Sequence, residues 1–424
     1  MKELLRPLTG SLLLMMAVAG WSADWPRFRG SGGDGIVTGS DAPLKWGPQE
    51  NVIWKTELPG PGSSSPIVSG GKVFLTSYSG YGLDAAQPGD PAKLKRHALC
   101  LNRADGKLLW SHAADAPLPE QPYGGPYITQ HGYASSTPVT DGQRVFFFLA
   151  KSGVFAFTMD GKQVWQTNVG TNFHEWGAGA SPVLYKNLLI VNAAFESDSL
   201  IALDKQTGKT VWSVRGMARA WNTPALVETG KGTPELVVSI NGRLRAFDPQ
   251  TGAELWHCKG IAAAELCPSI VAHQGILFVL GHPSGQAMAV RAGGRGDVTE
   301  THVLWRLNKG SNVTSPIYRD GHVYWASDNR GFAYCVKAET GEIVYEERWQ
   351  PNAGQIYASP VLVGERFYYV SRMAGTFVVA AKPEFKLLAH SPPLDPSSFS
   401  GSPAVVDGQV FLRSDRYLYC VGQR

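Results

Sequence analysis

The chain has 424 residues, of which 43% are hydrophobic and 11% aromatic, and it contains 48 glycines. This composition is typical of many short strands joined by tight turns, and it argues against a disordered chain. The formal net charge of +4 is small for this length. Because no run of Lys or Arg concentrates that charge, the sequence lacks the basic stripe that nucleic-acid binding needs.

The first 23 residues predict an export signal. Lys2 and Arg6 precede an apolar stretch of signal-peptide length that ends in small residues. The stretch is far shorter than the roughly 20 apolar residues of a membrane span, so we expect it to be cleaved near Ala19 or Ala23. The sequence therefore predicts a soluble, periplasmic or secreted protein in which residues 24–50 lead into the folded domain.

A motif recurs along the rest of the chain. Residues 202–212 read Ala-Leu-Asp-Lys-Gln-Thr-Gly-Lys-Thr-Val-Trp, and residues 246–256 repeat the Ala, the Asp, the Thr-Gly and the Trp. A second marker, a Ser-Pro or Thr-Pro step and once a Cys-Pro step, returns about every 44 residues, a period that in strand-rich units predicts a β-propeller. The eight markers lie at Pro66, Pro138, Pro182, Pro224, Pro268, Pro316, Pro360 and Pro403.

The interval between the first two markers is longer than the others because it holds two insertions. Residues 78–95 and 113–133 are rich in Pro, Gly and charged residues, as surface loops tend to be. Their aromatic side chains predict either a contact surface for a partner or a lid packed across the mouth of the channel. These side chains are Tyr78, Tyr81, Tyr123, Tyr127 and His131.

Each repeat is predicted to be one blade of four antiparallel strands. Apolar runs alternate with two-residue turns such as Asp141-Gly142, which are typical of β-hairpins. The last repeat, which begins at Pro403, has three strands, whereas residues 52–55 form a strand that precedes every marker. We expect this N-terminal strand to complete the C-terminal blade and to close the ring, giving one all-β, eight-bladed propeller over residues 51–424.

The last position of the motif predicts packing between blades, because Trp combines a large apolar ring with an N–H group that can find a partner. Aromatic residues fill this position in all repeats but one, where Leu388 is expected to stand. The aromatic residues are Trp54, Trp110, Trp165, Trp212, Trp256, Trp305 and Tyr345.

The five cysteines are too few for a disulfide scaffold, and their spacing matches no zinc template. Cys100, Cys335 and Cys420 occupy a third-strand position where other repeats have Ala, which predicts small buried side chains. Cys258 and Cys267 flank a short loop between two repeats. They are a candidate disulfide pair in an oxidising compartment.

The Ala-x-Asp-x-x-Thr-Gly-x-x-x-Trp unit, with Ser-Pro opening each blade, resembles the quinoprotein-type (PQQ-like) eight-bladed propeller. Quinoprotein alcohol dehydrogenases and the outer-membrane assembly factor BamB share that fold. The resemblance covers nearly the whole chain after residue 23, and residues 24–30, 131–138 and 294–299 are similar to exported PQQ-like proteins named by analogy to BamB. The motif is structural, so the resemblance implies the fold and not a bound quinone.

The resemblance implies two alternative functions. The dehydrogenases carry a disulfide between adjacent cysteines and a calcium ion held by a Glu and an Asn, but this chain has no adjacent cysteines, and it lacks the lipidated cysteine of BamB. We therefore expect an exported, non-catalytic and monomeric propeller without a cofactor, acting as a protein-interaction scaffold or a ligand-binding module in the cell envelope. Its partner would be an envelope protein or a small polar ligand. The alternative is an oxidoreductase that depends on PQQ and calcium.

The loops that precede the markers predict a ligand site, because such loops converge at the channel mouth of a propeller. They supply carboxylates, amides, an Arg, a His and aromatic side chains; the alternative is that they are polar only because they are solvated. Glu175, Glu265 and Asn312 also offer the oxygen atoms that calcium prefers. No catalytic residue is predicted. The candidate binding residues are His174, Glu175, Trp176, Arg219, Trp221, Asn222, Glu265, Asn312, Gln355 and Tyr357.

Overall fold

Eight antiparallel sheets of four strands each form the blades of a propeller ring, with almost no helix. The prediction of an all-β, eight-bladed propeller is therefore confirmed. The export signal expected over residues 1–23 lies outside the described residues. The computed structural model describes residues 24–37, 41–217, 219–230, 232–263, 265–281 and 285–423.

Within each blade the strands run in order from the channel to the rim. In blades 1 to 4 they are Ile67–Ser69, Lys72–Ser79, Lys95–Asn102 and Leu108–Asp115; Val139–Thr140, Arg144–Phe148, Val154–Thr158 and Gln163–Thr167; Val183–Tyr185, Leu188–Ala193, Ser199–Asp204 and Thr210–Arg215; and Ala225–Val227, Glu235–Ile240, Arg243–Phe247 and Glu254–Lys259. In blades 5 to 8 they are Val271–His273, Ile276–Gly281, Gln286–Arg291 and Val303–Leu307; Ile317–Arg319, His322–Ala326, Phe332–Lys337 and Ile343–Arg348; Val361–Val363, Arg366–Val370, Thr376–Ala380 and Leu387–Ser391; and Ala404–Val406, Gln409–Arg413, Tyr417–Val421 and Val52–Glu57.

Two short strands extend these sheets in parallel pairing. Gly296–Asp297 pairs with the outer strand of blade 4, and Ile36–Val37 pairs with the innermost strand of blade 7. The helical segments of the described residues are single turns. They are Pro91–Lys93, Ile128–His131, Ala150–Ser152 and Thr299–His302.

The outer strand of blade 8 comes from the other end of the chain. Val52–Glu57 pairs antiparallel with Tyr417–Val421, and the register places Trp54 opposite Cys420. Blade 8 thus contains four strands, as the other blades do, although its strands are far apart in sequence.

Five of the six motif tryptophans donate to a backbone carbonyl of the next blade, and the sixth, Trp256, donates to Glu235 Oε2 within blade 4 at 2.7 Å. The indole N–H of Trp165 donates to the backbone carbonyl of Lys205 at 3.1 Å. Its ring packs so close to Gly208 that a Cβ atom there would be 2.7 Å from the ring. Because Gly208 also has a φ of +73°, the Thr-Gly turn needs glycine both for its backbone and for the ring above it. The same carbonyl contact is made by Trp54, Trp110, Trp212 and Trp305.

Blade 7 departs from the expected motif at Leu388. The register places Ala389, not Leu388, opposite Val378, which is the pairing that Trp212 makes with Ala202 in blade 3. Leu388 is 37% exposed, whereas Ala389 is buried. The expectation for Leu388 was wrong because the connection between the third and fourth strands is one residue longer in blade 7: Ala389 lies 11 positions after its partner Val378, whereas Trp212 lies 10 positions after Ala202.

A closed ring of hydrogen bonds joins the blades around the channel. At each step the backbone N–H of a Ser or Thr donates to the side-chain hydroxyl of the equivalent residue in the next blade, with N···O distances of 2.9 to 3.1 Å. The last of these bonds runs from Ser402 to Ser65 and links blade 8 to blade 1. The ring residues are Ser65, Thr137, Ser181, Thr223, Ser269, Ser315, Ser359 and Ser402.

This hydroxyl ring explains the Ser-Pro and Thr-Pro markers. In seven blades the ring residue stands directly before the marker proline. The innermost strand of each of these blades begins at the residue after that proline. In blade 5 the ring residue is Ser269, which follows Pro268. Cys267 is therefore not part of the ring, and its side chain lines the channel instead.

Candidate functional site

The N-terminal lead-in segment crosses the channel below the hydroxyl ring. Trp25 exchanges two backbone hydrogen bonds with Val68 of blade 1, and the carbonyl of Pro26 accepts from Thr140 of blade 2. On the far side, Ile36–Val37 pairs with the innermost strand of blade 7. The segment spanning residues 24–37 therefore forms a floor that is anchored on opposite sides of the channel.

Arg29 anchors the same floor to blade 6. Its guanidinium is 2% exposed and donates to the carbonyl oxygens of Asp34, at 2.7 Å, and Pro316, at 2.6 Å. Burial lowers the pKa of Arg29 to about 10, although the charge of Asp34 raises it. Phe28, the residue before Arg29, lies against the channel above.

The second insertion of blade 1 forms a lid on the other side of the ring. Its helical turn, Ile128–His131, brings the ring of His131 over Trp176 of blade 3 in a stacked contact. Gln130 accepts hydrogen bonds from Arg372 of blade 7, at 2.6 Å through its side chain and at 3.0 Å through its backbone carbonyl. The insertion thus spans the channel mouth.

The tyrosines of the two insertions support this lid. Tyr78, Tyr81 and Tyr133 are at most 6% exposed and pack on one another and on Ile128. The hydroxyls of Tyr78 and Tyr133 donate to the carbonyls of Gly82, at 3.0 Å, and Gln121, at 2.6 Å, and the hydroxyl of Tyr81 accepts the backbone N–H of Tyr123 at 2.9 Å. Of the two alternatives for these aromatic loops, the structure shows the lid, because the rings are turned inward and leave little surface for a partner.

A chamber lies between the floor and the lid. It has a volume of about 140 Å³, and we call it the channel chamber. Its lower wall is the hydroxyl ring with Phe28 beneath it. Its upper wall is formed by His131, Ser135, Trp176, Trp221, Cys267 and Tyr357.

The titratable side chains of the upper wall are held in their uncharged forms. Burial lowers the pKa of His131 to about 4, which outweighs a hydrogen bond with the backbone of Trp176 that raises it. Burial also raises the pKa of the Cys267 thiol to about 12, and the carboxylates of Glu265 and Asp328 act in the same direction. At neutral pH the wall therefore offers neutral hydrogen-bonding and aromatic groups.

The hydroxyl ring faces the chamber with hydrogen-bond donors. Each ring oxygen accepts a backbone N–H of the neighbouring blade, so the hydroxyl proton stays available to donate to a ligand. Within the described residues, the indole N–H of Trp176 is buried and makes no hydrogen bond. Each ring hydroxyl also keeps one lone pair, so the chamber wall offers both donors and acceptors.

Three of the ten predicted site residues line the chamber, namely Trp176, Trp221 and Tyr357. Asn222 is fully buried, and its side chain holds the backbone of Ser239 and Leu266 together. Glu175, Arg219 and Gln355 are exposed around the mouth, and the others lie outside the lining. These others are His174, Glu265 and Asn312.

The candidate disulfide is not formed. Cys258 and Cys267 are both free thiols. Cys258 is fully buried in the core shared by blades 4 and 5, whereas Cys267 lines the chamber. One thiol lies in a hydrophobic core and the other lines the chamber, so the two side chains do not meet although they are close in sequence.

Sequence reasoning missed several lining residues. The ring hydroxyls were visible as the Ser and Thr of the markers, but their bonds join residues of different repeats. Phe28 lay in a segment without repeat character. His131 lay in an insertion that was predicted to be either a lid or a partner surface. Ser135, whose Oγ is 2.7 Å from Nδ1 of His131, lay just after that insertion.

The donor set for calcium and PQQ is not reproduced here. None of Glu175, Glu265 and Asn312 lines the chamber. Among the described residues, no three His, Cys, Asp or Glu side chains are grouped so that they could hold a metal ion. Since the sequence also has no adjacent cysteines, its residues do not fit the calcium and quinone arrangement that the dehydrogenase resemblance implies.

The fold and the chamber define an eight-bladed propeller with a cavity between the hydroxyl ring and the channel mouth. The sequence matches the PQQ_2 family, described as outer membrane protein assembly factor BamB, over residues 20–175 and 150–384. The chain belongs to this family. Among curated proteins, none matches the sequence at a significant level.

Several solved structures share the fold at low sequence identity. BamB from Moraxella catarrhalis is 13% identical with a TM-score of 0.61, covering 88% of this chain and 97% of that one. The computationally designed protein Ika8 is 13% identical with a TM-score of 0.62, covering 88% and 100%. Quinohemoprotein alcohol dehydrogenase from Comamonas testosteroni is 10% identical with a TM-score of 0.66, covering 95% and 81%. The neighbours thus include both an assembly factor and an enzyme.

Across the part of the chain that the structure describes, no helix is long and apolar enough to cross a membrane.

Proposed function

We propose that the chain is an exported, non-catalytic propeller that binds a small polar ligand in the channel chamber. The observation that carries the proposal is the chamber itself: a cavity of about 140 Å³ with aromatic side chains above and a ring of hydroxyl groups below. Such a combination of apolar surface and a few oriented polar groups is typical of small-molecule sites. The chamber lies between Phe28 of the floor and His131 of the lid, so a ligand would contact both segments.

The chemistry of the chamber wall favours binding over catalysis. Ser135 and His131 are in hydrogen-bond contact, but among the described carboxylates none bonds the imidazole to orient it. Because burial lowers the pKa of His131 to about 4, the imidazole is a weak base and a poor activator of the hydroxyl. The donors on the wall can instead hold the acceptor atoms of a ligand.

A matched pair of tryptophan substitutions tests where the ligand binds. Val313→Trp places a large ring at the chamber wall, whereas Val211→Trp places it on an exposed outer strand, where Val211 is 50% exposed. We would titrate purified protein with glucose, p-hydroxybenzoate and PQQ with calcium, following the fluorescence of the tryptophans. Binding that Val313→Trp abolishes and Val211→Trp retains supports the chamber, and equal binding by both variants contradicts it.

The same samples test the alternative of a PQQ- and calcium-dependent oxidoreductase. If stoichiometric PQQ binding were accompanied by dye reduction with simple alcohols or sugars, the non-catalytic proposal would be wrong. If PQQ binds without turnover, the chamber is a binding site for a planar molecule and the proposal stands.

A scaffold for an envelope protein is the second candidate function. It is supported by the family description and by apolar side chains on the outer strands, such as Leu109 at 47% and Val211 at 50% exposed. A pull-down from an envelope extract with wild-type protein and with a Leu109→Ser/Val211→Ser variant tests it. Recovery of the same partner with both proteins would rule out these outer strands as the contact.

A further inference from the structure

A second cavity lies beneath the channel chamber, on the side that the floor segment leaves uncovered. The floor is anchored to blades 1, 2, 6 and 7, and the cavity opens between the floor and the innermost strands of blades 3, 4 and 5. We call it the lower cavity; it has a volume of about 80 Å³ and shares Phe28, Thr223 and Ser269 with the channel chamber. Phe28 therefore separates two spaces with different surroundings.

The lower cavity has one charged wall and one apolar wall. Arg27 and Asp34 of the floor lie on one side. The facing side is formed by strand residues that include Val183, Leu226 and Ile270. Since a buried water needs roughly 10 to 15 Å³ of such space, the cavity has room for a molecule of several non-hydrogen atoms.

Arg27 presents most of its hydrogen-bonding capacity to this cavity. Its Nε donates to the carbonyls of Gly30, at 3.3 Å, and Ser31, at 3.2 Å. Its Nη2 atom packs against Gly33, and a Cβ atom on Gly33 would be 3.0 Å from it. Within the described residues no carboxylate comes close enough to form an ion pair with Arg27, so its terminal N–H groups remain for a ligand.

The floor segment contains two arginines and two aspartates, so its formal charges balance. Arg27 is partly buried and Arg29 is buried, and Asp34 is the carboxylate that acts on the pKa of each. One oxygen of Asp34 already accepts the N–H of Ile36 at 3.1 Å. Arg29 is 2% exposed, and its Nε and Nη1 atoms make no hydrogen bond within the described residues. Asp24, the other carboxylate of the floor, accepts a hydrogen bond from Ser69 Oγ at 2.7 Å. Arg27 is therefore the cationic side chain that lines the lower cavity.

We propose that the lower cavity is a binding site for a small aliphatic carboxylate. The terminal N–H groups of Arg27 would hold the two carboxylate oxygens, a geometry that guanidinium groups match in a bidentate way. The hydroxyl protons of Thr223 and Ser269, whose oxygens already accept backbone N–H groups, are further donors on the same cavity. The aliphatic part would lie against Val183, Leu226 and Ile270. The lower cavity shares Phe28, Thr223 and Ser269 with the channel chamber, but this proposal does not rest on the ligand proposed for the chamber.

Butyrate and its uncharged analogue butyramide test the proposal directly. We expect isothermal titration calorimetry of the wild-type protein to show saturable binding of butyrate and none of butyramide. Inorganic phosphate is the third probe, because a phosphate that binds more tightly than butyrate would assign the cavity to another class of anion and overturn the carboxylate proposal. Failure of butyrate to bind, or equal binding of butyramide, would overturn it as well.

Variants separate the charge of Arg27 from the shape of the cavity. Arg27→Gln should weaken butyrate binding by about ten- to a hundredfold, the range expected for losing hydrogen bonds from a charged donor, and Arg27→Lys should lie between the two. Ala272→Leu fills the opposite wall without altering any charge and should also abolish binding. Arg215→Gln, on an exposed outer strand, is the matched control and should bind as the wild type does.

Thermal unfolding of each variant shows whether the fold is retained. If Arg27→Gln loosens the floor and melts early, Ala272→Leu still tests the cavity, because it leaves the floor segment unchanged. Unchanged butyrate affinity in a folded Arg27→Gln or Ala272→Leu protein would contradict the proposal. Binding in the channel chamber is measured with the probes named above and is expected to be unaffected by Ala272→Leu, so the two sites fail or succeed separately.

Discussion

Removal of one hydroxyl from the ring should destabilise the whole propeller by a measurable amount. In Ser181→Ala, the backbone N–H of Thr137 loses the acceptor that it reaches at 3.0 Å. Thr137 is 2% exposed and Ser181 is 3% exposed, so the orphaned N–H is a buried donor, which typically costs about 1 to 3 kcal/mol. Because Ser181 borders the channel chamber, water can reach part of the vacated space, and we expect about 1 to 2 kcal/mol.

Equilibrium unfolding in guanidinium chloride measures this loss as a shift in the midpoint. Ser213→Ala is the matched control, since Ser213 is exposed on an outer strand of the same blade, and Ser181→Thr should restore most of the stability by keeping the hydroxyl. The Ser181→Ala/Ser359→Ala double variant breaks the ring in two distant blades, so its loss should be close to the sum of the single losses. A loss for Ser181→Ala no greater than that for Ser213→Ala would refute the role assigned to the ring.

Three further predictions concern the closure of the ring and the buried charges. Deleting residues 51–58 should lower the melting temperature of the whole domain, because it removes the outer strand that pairs with Tyr417–Val421; a truncated protein that melts like the full chain would contradict closure by this strand. Burial raises the pKa of Glu196 from 4.5 to about 7. The folded protein holds this proton up to a higher pH than the unfolded chain does, so the stabilisation is complete below pH 4.5 and is lost as the pH rises to about 7. Glu196→Gln should therefore flatten the profile of melting temperature against pH over this range. Glu120→Gln breaks a 2.5 Å contact with Arg96, in which both side chains are at most 4% exposed, and should cost about 3 to 5 kcal/mol in denaturant unfolding; a loss below about 1 kcal/mol would show that Arg96 is satisfied by its other partners.

The repeat pattern predicted the number of blades and their strands because both follow from local alternation and turn residues. It could not predict the hydroxyl ring, because each of its bonds joins two residues that lie in different repeats. The Cys-Pro marker shows the limit clearly: Pro268 kept the period, but the hydroxyl had moved to Ser269. The strand position of Leu388 failed because blade 7 lacks the Thr-Gly turn and its connection between the third and fourth strands is one residue longer, so the spacing of the motif did not apply there.

The candidate site was predicted only where it follows the repeats. Trp176, Trp221 and Tyr357 lie in loops before the markers and do line the chamber. Asn222 lies in the same kind of loop, but its side-chain amide donates to the backbone carbonyls of Ser239 and Leu266 instead of lining the chamber. Side-chain direction within a loop depends on tertiary packing, so residue type and loop position alone could not separate these two outcomes.

The parts of the chain that break the repeat also determine what the channel can bind. Eight similar blades give a wall of eight similar hydroxyl groups, and such a wall has no preferred direction in which to orient a ligand. Direction comes from the floor, which places Phe28 in both cavities and Arg27 in the lower one, and from the lid, which places His131 over Trp176. Specificity should therefore reside in residues 24–37 and 113–133, so exchanging these two segments between propellers of this family should transfer ligand preference while the blades stay the same.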